Sequence, residues 1–599
     1  MKTIRTSILT LATATALVAG AALLYSCTKD FQSLNTNPNQ ATPENVQPSF
    51  LITGVFNQSI LDPGMHERIT QLTNDVYAQY YANEGFSTQT GVTNNEWITE
   101  YYNNYHNSMV ASLNMAIRIG KAGTRPYNET QIARIWRVWV YSRATDIFGD
   151  MPYFQAADGT GTNPPYDSQQ LIYQDMLKEL KEASGLLSKN NLPQLAGQDY
   201  VYNDNIDYWK KFANSLRLRL AMRVSQADPA LSKTNAEEAI AAGVFAAPGE
   251  ACIVPRGPGF GWGYDYQYTY YFGWGAESMS RSMENLLTGL GGQDFPNPPP
   301  GMDSTLSYTY DDPGFALPDA DENTLDPNAN KFKLGVPSKV DPRGPIYYNV
   351  TSNVSGASSG ITIQGNKVDT RFRWHGVPAG LAQSAGGKPQ YNVFNTARLG
   401  KDFYGKPDRG YEVMTYHEVC FLLAEAAQRN YAVGGGNVQS WYEKGITASM
   451  KWHQGIIKDK LNNEERNFPD DITISDYVAS VAQNTYGTTV AFTNNSGKSW
   501  LGNPVDDAMS KIITQKYIAL FPDGGWEAWA DHRRLNLPVL IPFAKGLDSR
   551  YTTHDGGPDN FTKRVTYPAI EQLNNLNYYN QAVARQGADM ETTAVWWDK

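Results

Sequence analysis

The segment from residue 262 to residue 274 carries the clearest candidates for ligand contact in this sequence. Its aromatic residues include Trp262, Tyr264, Tyr266, Tyr268, Tyr270 and Trp274. The first five occupy alternate positions, so in an extended chain their rings point to one face. Flat aromatic rings match the C–H faces of sugars, and tyrosine and tryptophan keep a polar edge for hydroxyl groups. The pattern predicts a carbohydrate-binding platform, and packing of these rings onto the protein body is the alternative.

Catalytic motifs, by contrast, are incomplete. His417 and Glu418 resemble the start of a zinc-protease helix, but Phe421 stands where the second histidine ligand belongs. Ser358 lies in a Gly-x-Ser-x-Gly sequence, yet a polar loop precedes it and no helical pattern follows. Residues 497–499 read Gly-Lys-Ser without the leading glycine of a phosphate-binding loop. The sequence therefore predicts no catalytic residue and no enzyme.

Charge and composition limit the cofactors and partners. The acidic loop at 319–330 imitates the start of a calcium loop, but Thr324 replaces the turn glycine and Asn330 the closing glutamate. A solvated loop is the favoured interpretation, with bound calcium as the alternative, and no other cofactor is predicted. With 50 basic and 60 acidic residues the chain has a net charge of −10 and no basic stripe. Nucleic acid is therefore not an expected partner.

The N-terminal residues predict a lipid anchor. Lys2 and Arg5 precede an apolar run over residues 8–24, as in a secretory signal peptide. Leu-Tyr-Ser before Cys27 resembles a bacterial lipobox, so we expect cleavage after residue 26 and acylation of Cys27. Several acyl chains hold a protein firmly at a membrane, whereas one chain is marginal. The predicted layout is a signal peptide at 1–26, a lipidated flexible tether at 27–48 and a body at 49–599, with ordinary secretion as the alternative.

Helices are expected to form most of the body. Apolar residues recur at three- and four-residue spacing in ten segments on either side of a central region. The segments are 67–83, 97–121, 130–148, 167–188, 207–226, 411–430, 437–457, 471–483, 506–521 and 568–585. From about 245 to 408 the periodicity is lost, which predicts an irregular, loop-rich insertion with short strands such as 360–364. Pairs of helices that together span about 34 residues are typical of tetratricopeptide-like repeats.

Two local features of the sequence predict a helix end and the state of two cysteines. The helix before Gly149 should end at that glycine, because Pro152 prevents its continuation. Cys252 and Cys420 are far apart, and Cys420 lies in an apolar helical stretch. Two buried thiols are expected there, with one disulfide as the alternative.

Eight segments in chain order resemble the SusD/RagB family of nutrient-binding outer-membrane lipoproteins. They are 27–31 (CTKDF), 34–38 (LNTNP), 141–153 (YSRATDIFGDMPY), 414–427 (MTYHEVCFLLAEAA), 513–521 (ITQKYIALF), 526–534 (WEAWADHRR), 564–568 (RVTYP) and 595–599 (VWWDK). Together they span almost the whole chain. The resemblance implies a mostly α-helical single domain, in which tetratricopeptide-like helix pairs support a loop-rich, irregular ligand-binding half.

The resemblance also implies a partner, a location and further site residues. The partner is a SusC-like, TonB-dependent β-barrel transporter over which the protein sits as a lid. Lys29 and Asp30 follow the cysteine, as in family members on the outer face of the outer membrane. Family members also bind ligands through residues after the first body helix, which adds Asp75 and Trp97 as candidate ligand contacts. Roles in a helix core or cap are the alternative for both residues.

The expected function is therefore capture of an oligosaccharide at the cell surface and its delivery to the transporter. The same fold binding a peptide or another nutrient is the alternative, because a subset of the family is associated with peptides. A surface glycosidase is a minor alternative, since 60 acidic residues offer many carboxylate pairs that the sequence cannot locate.

Overall fold

Helices dominate the structure, a computed structural model that describes residues 46–82, 92–122, 127–157, 163–191, 195, 197–256, 278–295, 309–311, 331–333, 336–349, 361–363, 366–368, 374–377, 397–400, 403, 409–458, 471–543 and 559–598. The helices are α1 Pro48–Ser59, α2 Pro63–His66, α3 Asp75–Tyr77, α4 Asn95–Asn104, α5 Ala111–Ala122, α6 Asn128–Phe148, α7 Gln169–Leu186, α8 Ile206–Arg223, α9 Pro229–Ala242, α10 Arg281–Leu287, α11 Gly344–Tyr347, α12 Tyr416–Gln428, α13 Val438–Lys458, α14 Asp471–Val478, α15 Ala508–Ala519, α16 Gly525–Leu535, α17 Ala569–Asn574 and α18 Leu576–Gln586. Two π-helical segments, Glu67–Asn74 and Tyr105–Val110, connect α2 to α3 and α4 to α5. The predicted mostly α-helical class is confirmed.

Helix α6 lies at the centre of the first helical part. Its apolar face, formed by Ile132, Ile135, Trp136 and Trp139, is buried, and so are most of its other side chains. A helix that is buried on all sides must be enclosed by other elements. Helices α1, α5 and α7 pack against it, α7 also packs on α8, and α8 packs on α9.

The second helical part repeats this arrangement of packed helix pairs. Helix α12 packs on α13 and on α15, and α8 contacts α12 and so joins the two helical parts. Residues Pro48–Lys599 form one compact unit. Among the described helices, none has the length and apolar character required of a membrane span.

Several helix boundaries differ from the predicted ones. The helix expected over 67–83 ends at Tyr77, because Gln79 has a left-handed φ of +57° and Tyr81 starts a strand. The helix expected over 568–585 is interrupted at Asn575. Helices α1, α9 and α16 were not predicted at all.

Strands are short and occur as antiparallel pairs. They are β1 Tyr81–Ala82, β2 Cys252–Val254, β3 Ser278–Met279, β4 Thr288–Asp294, β5 Thr309–Asp311, β6 Lys331–Lys333, β7 Lys339–Val340, β8 Tyr348–Asn349, β9 Ile361–Ile363, β10 Asn366–Val368, β11 Arg398–Leu399, β12 Tyr411–Met414, β13 Ser499–Trp500 and β14 Asn503–Pro504. Strand β9 confirms the strand predicted at 360–364 and pairs with β10. Strand β12 pairs with β2, with Tyr411 opposite Val254, and so connects the two ends of the insertion.

Both described cysteines are free thiols in the interior, which confirms the expectation for Cys252 and Cys420. Burial disfavours the thiolate and raises the pKa of Cys420 to about 12. These thiols are therefore poor nucleophiles and metal ligands at neutral pH.

Buried ion pairs join helices both between and within the two helical parts. Arg219 on α8 contacts Glu418 on α12 at 2.6 Å, and Lys516 on α15 contacts Asp531 on α16 at 2.8 Å. Since Glu418 is held in this pair, the incomplete zinc-protease motif has a structural role. Within the described ranges, no group of three or more His, Cys, Asp or Glu side chains is arranged to hold a metal ion.

Candidate functional site

Most of the predicted ligand contacts fall outside the described residues. These are Trp262, Tyr264, Tyr266, Tyr268 and Trp274. The lipidation site Cys27 and the acidic loop at 319–330 lie outside them as well. All of these assignments stay predictions, and the structure bears on the remaining candidates, Asp75 and Trp97.

Asp75 lies in the protein interior at the start of α3 and is 1% exposed. Gly525 lets the two segments approach, because a Cβ atom there would lie 1.8 Å from the Asp75 Oδ1 atom. Burial raises the pKa of Asp75 well above its usual value, the nearby carboxylate of Asp523 raises it further, and Arg143 opposes the shift. The residue is almost fully shielded from solvent, and its contact with a ligand stays a prediction.

Trp97 lies in the first turn of α4, partly buried against the hydrophobic core. Its backbone N–H donates to the Asn94 side chain at 3.2 Å, so Asn94 caps the helix. Further along the same helix, Tyr101 and Tyr102 are buried. Ligand contact by Trp97 stays a prediction, but the far end of its helix forms one wall of a large cleft.

The described residues line a cleft of about 780 Å³, which we call the α4–α17 cleft. Its first wall is formed by α4 and the π-helical turn that follows. Tyr102, Asn103, His106 and Asn107 line it, and their spacing of three and four residues places them on one helical face. This volume lies within the range of roughly 300–1,000 Å³ that is typical of small-molecule sites.

The second wall of the cleft is the loop after α6, which contributes Pro152, Ala157, Asn163 and Pro164. The loop begins because Gly149, with a φ of +82°, ends α6 as predicted. Met151 and Asp167 then form an antiparallel β-bridge that closes the base of the loop. The Asp167 carboxylate also accepts hydrogen bonds from two backbone N–H groups, those of residues 153 and 154, at 3.0 and 2.9 Å.

The third wall comes from α17 and the residue after it. Its lining residues are Ile570, Glu571, Leu573, Asn574 and Asn575. Asn575 donates to the Pro164 carbonyl at 3.1 Å, which joins this wall to the second. The Asn95 side chain on α4 accepts a hydrogen bond from the first residue of α17 at 3.2 Å, which joins it to the first wall.

A chain of hydrogen bonds connects these walls. The hydroxyl groups of Tyr102 and Tyr166 are 3.3 Å apart, and Tyr166 donates to Glu571 Oε2 at 2.6 Å. Burial raises the pKa of both tyrosines well above the usual value, so both hydroxyl groups stay neutral at physiological pH. Glu571 is thereby occupied as an acceptor.

His106 contributes an imidazole to the cleft. Its ring packs edge-on against Tyr102, with centroids 4.4 Å apart, and against Tyr105, at 4.8 Å. Burial lowers the pKa of His106 to about 3, so the ring is neutral at physiological pH. Its Nε2 atom is buried and has no hydrogen-bond partner among the described residues.

A second, smaller void lies beneath Arg143, Tyr411 and Asp523 and has a volume of about 20 Å³. A space of this size holds about one water molecule. It is therefore too small for an organic ligand, and the α4–α17 cleft is the stronger candidate in the described part of the chain.

Comparisons with known proteins assign the fold to a family. Residues 38–258 match the family described as "Starch-binding associating with outer membrane", and residues 360–598 match "Susd and RagB outer membrane lipoprotein". A SusD homologue from Parabacteroides distasonis is 30% identical with a TM-score of 0.73, and the match covers 92% of this chain and 98% of that one. The chain belongs to the SusD family.

Two more distant SusD-like structures share the fold. A SusD homologue from Bacteroides ovatus is 23% identical, with a TM-score of 0.65 and coverage of 92% of this chain and 99% of that one. A chitin-binding SusD homologue from Flavobacterium johnsoniae is 22% identical, with a TM-score of 0.64 and coverage of 92% and 98%. Among curated proteins, none matches the chain.

The sequence did not point to the cleft of this SusD-like chain. Its walls come from residues near 102–107, 152–164 and 570–575, and only the folded chain brings these segments together. The one available signal was the run of asparagines in the first and third segments, at 103, 107, 574 and 575. Asparagine is common in turns, so such a run does not by itself indicate a site.

Proposed function

We propose that the protein is a lipid-anchored, surface-exposed protein that captures an oligosaccharide and passes it to a SusC-like, TonB-dependent transporter. The observation that carries this proposal is the match of residues 38–258 to a family described as starch-binding and associated with the outer membrane. The chitin-binding description of one structural neighbour supports a glycan ligand. The ring faces of the aromatic segment at 262–274 suit the same ligand class.

In this proposal the protein binds its ligand without cleaving it. A typical glycosidase places two carboxyl groups about 5–10 Å apart across the scissile bond. Among the described residues that line the α4–α17 cleft, Glu571 is the one acidic side chain, and it already accepts a hydrogen bond from Tyr166. Incubation with the bound glycan should release no new reducing ends, and their release by the purified protein would contradict a binding-only role.

The ligand class is tested with the full-length lipidated protein in detergent. Calorimetric titrations with malto-oligosaccharides, chito-oligosaccharides and peptides should show saturable binding of one saccharide class. We expect Trp262→Ala and Trp274→Ala each to weaken this binding about tenfold, which corresponds to about 1.4 kcal/mol. Phe50→Ala is the matched control, since Phe50 is 61% exposed on α1, outside the proposed platform. Binding of peptides alone would favour the alternative ligand class.

The transporter partnership needs a separate test. Affinity purification of the tagged chain from detergent-solubilised membranes of its native host should recover a β-barrel protein in stoichiometric amount. Recovery of no barrel under conditions that retain glycan binding would contradict the delivery step and leave the binding function standing.

A further inference from the structure

We propose that the α4–α17 cleft is a second binding site, which takes an uncharged, polyhydroxylated ligand the size of one or two sugar rings. The site is built from residues outside the aromatic segment at 262–274. It stands on the geometry of the cleft, and only the identity of its natural sugar rests on the proposed function.

His106 brings an unsatisfied hydrogen-bonding group to the cleft. Buried polar atoms in folded proteins are almost always paired, so a buried nitrogen without a partner requires an explanation. His106 lines the cleft, and its Nε2 atom has no partner among the described residues. A neutral imidazole nitrogen either donates or accepts, and a ligand hydroxyl group can serve as the partner in both cases.

The charge of the lining disfavours ionic ligands. Among the described lining residues there is no lysine or arginine, so the cleft offers no cation to bind a phosphate or a carboxylate. Glu571 is the single acidic residue among the described residues that line the cleft, and it would repel an anionic ligand. A metal ion would require several oxygen ligands, whereas Glu571 is already engaged with Tyr166. An uncharged ligand is the class that remains.

The lining is also dense in groups that both donate and accept hydrogen bonds. Asn103, Asn107, Asn163 and Asn574 are exposed and carry amides with two donors and an acceptor. A purely apolar ligand would cover these amides without pairing them, which is unfavourable. Neighbouring hydroxyl groups on a sugar ring present donors and acceptors in the same mixed pattern.

Apolar surface in the same cleft suits the C–H faces of a sugar ring. Leu573 is 81% exposed and lines the cleft, so its side chain offers apolar surface to a ligand. The three walls are also connected before any ligand binds, because Asn575 reaches Pro164 and Asn95 reaches the start of α17. A preformed site loses less conformational entropy on binding than a flexible one does.

The test uses the full-length protein with all seven histidines labelled with ¹⁵N. Methyl glucoside, N-acetylglucosamine and their short oligomers serve as probes, and glucuronic acid is the charged counterpart of glucose. We expect the neutral probes to shift the imidazole signals of one histidine, which His106→Phe identifies by its absence. Glucuronic acid should bind at least fivefold more weakly, because Glu571 opposes its carboxylate.

Variants separate a binding role from a structural one. His106→Phe keeps a ring against Tyr102 and removes both nitrogens, and Asn107→Ala changes an exposed wall residue. Each should weaken cleft binding at least tenfold while the melting temperature stays within a few degrees. Asn574→Trp should block the cleft without touching the buried ring. Asn577→Ala, an exposed asparagine on α18 that does not line the cleft, is the matched control and should bind like the native chain.

The outcomes distinguish this proposal from the proposed function. Saccharide binding that responds to Trp262→Ala but not to His106→Phe, Asn107→Ala or Asn574→Trp overturns the second site alone. Binding that responds to the cleft variants and persists in Trp262→Ala supports it. If the probes bind the native chain but shift no histidine signal, the second site fails and the proposed function stands. If no probe binds the native chain, the second site fails, and the titrations with oligosaccharides and peptides decide the proposed function separately.

Discussion

Gly149 shows how one residue positions a wall of the cleft. Its φ of +82° is accessible to glycine at little cost, and a Cβ atom there would lie 1.8 Å from Gln586 Oε1. That same oxygen accepts a hydrogen bond from the Asp150 backbone at 2.7 Å, and the amide nitrogen of Gln586 donates to the Phe148 carbonyl at 3.2 Å. The glycine therefore ends α6 and lets α18 dock against the chain reversal.

We predict that Gly149→Ala destabilises the protein by about 1–3 kcal/mol, through backbone strain and loss of the Gln586 contacts. Urea unfolding followed by fluorescence measures the change. Gly185→Ala is the matched control, since Gly185 lies in the last turn of α7, where an added Cβ atom would have no atom within 4 Å beyond its chain neighbours and the backbone of its own helix. That variant should be neutral or more stable by up to about 1 kcal/mol. Equal effects at the two glycines would contradict this account of Gly149.

His532 makes stability depend on pH. It is buried on α16, where its Nδ1 atom lies 3.0 Å from the Pro538 carbonyl oxygen and its ring packs 4.4 Å from Phe561. Burial, together with the positive charges of Lys563 and Arg533, lowers the pKa of His532 to about 3. In the unfolded chain the pKa of His532 is near 6.5, so the unfolded state binds the proton more readily than the folded state does. Protonation of His532 therefore favours unfolding as the pH falls below about 6.5.

We predict that His532 removes about 2–3 kcal/mol of stability between pH 7.5 and pH 4.5. Urea titrations at the two pH values measure the native chain and His532→Phe, which keeps a ring against Phe561 but cannot be protonated. The free energy of unfolding of the native chain minus that of the variant should be lower at pH 4.5 than at pH 7.5 by that amount. A difference that does not change with pH would show that His532 is not buried as a neutral ring.

At the scale of elements, buried ion pairs determine how the C-terminal helices pack. Arg534 on α16 contacts both carboxylate oxygens of Glu425 on α12 at 2.6 Å, and it also contacts Asp531 at 2.9 Å. Both members of the Arg534–Glu425 pair are about 1% exposed. Arg429 also contacts Glu425, at 3.0 Å. Removing Arg534 therefore leaves the buried Glu425 carboxylate with Arg429 but without its two-point partner, and water cannot replace the lost contacts.

We predict that Arg534→Met costs about 3–5 kcal/mol of unfolding free energy, measured by urea denaturation. The double variant Arg534→Met/Glu425→Met should be more stable than the single variant, since it also removes the buried carboxylate that has lost its two-point partner. Lys189→Met is the surface control: the Lys189–Asp207 pair is 2.6 Å long, but its side chains are 70% and 55% exposed. Its loss should cost at most about 1 kcal/mol.

Buried charged residues such as these explain why the sequence predicted some helices and missed others. Helices such as α6 and α8 keep apolar residues at helical spacing, so their positions follow from the pattern. Helix α16 was missed because buried Asp531, Arg533 and Arg534 interrupt that pattern, and their burial depends on partners far along the chain. Helix α9 is rich in alanine and polar residues, although its N-terminal Asp228 cap before Pro229 was a usable signal.

At the scale of the whole molecule, fold and cleft differ in how far the sequence determines them. Family-like segments lie along almost the whole chain, so the fold class followed from reading them in order. The α4–α17 cleft exists only once α6 has ended at Gly149 and α17 has docked onto Asn95. In the sequence its lining residues are of types that are common on protein surfaces, so they do not stand out as a site. Only the folded chain brings them together.

The predicted lipid anchor bears on where the whole molecule resides. If Cys27 is acylated, the lipid chains contribute about 0.8 kcal/mol for each buried methylene group, enough for stable attachment when several chains are present. We predict that Cys27→Ala moves the protein from the membrane pellet to the soluble fraction after a high-salt wash, which removes protein-mediated attachment. Intact cells expressing the native chain should lose it to added protease, as expected for outward display.

Cys252→Ala is the matched control for that experiment, because this thiol is buried in the folded body and cannot carry a lipid there. It should stay in the pellet and stay protease-accessible on intact cells. Mass spectrometry of the native chain should find the first residue to be an acylated cysteine. Retention of Cys27→Ala in the washed pellet, with an uncleaved N-terminus, would instead assign the attachment to the apolar segment at residues 8–24.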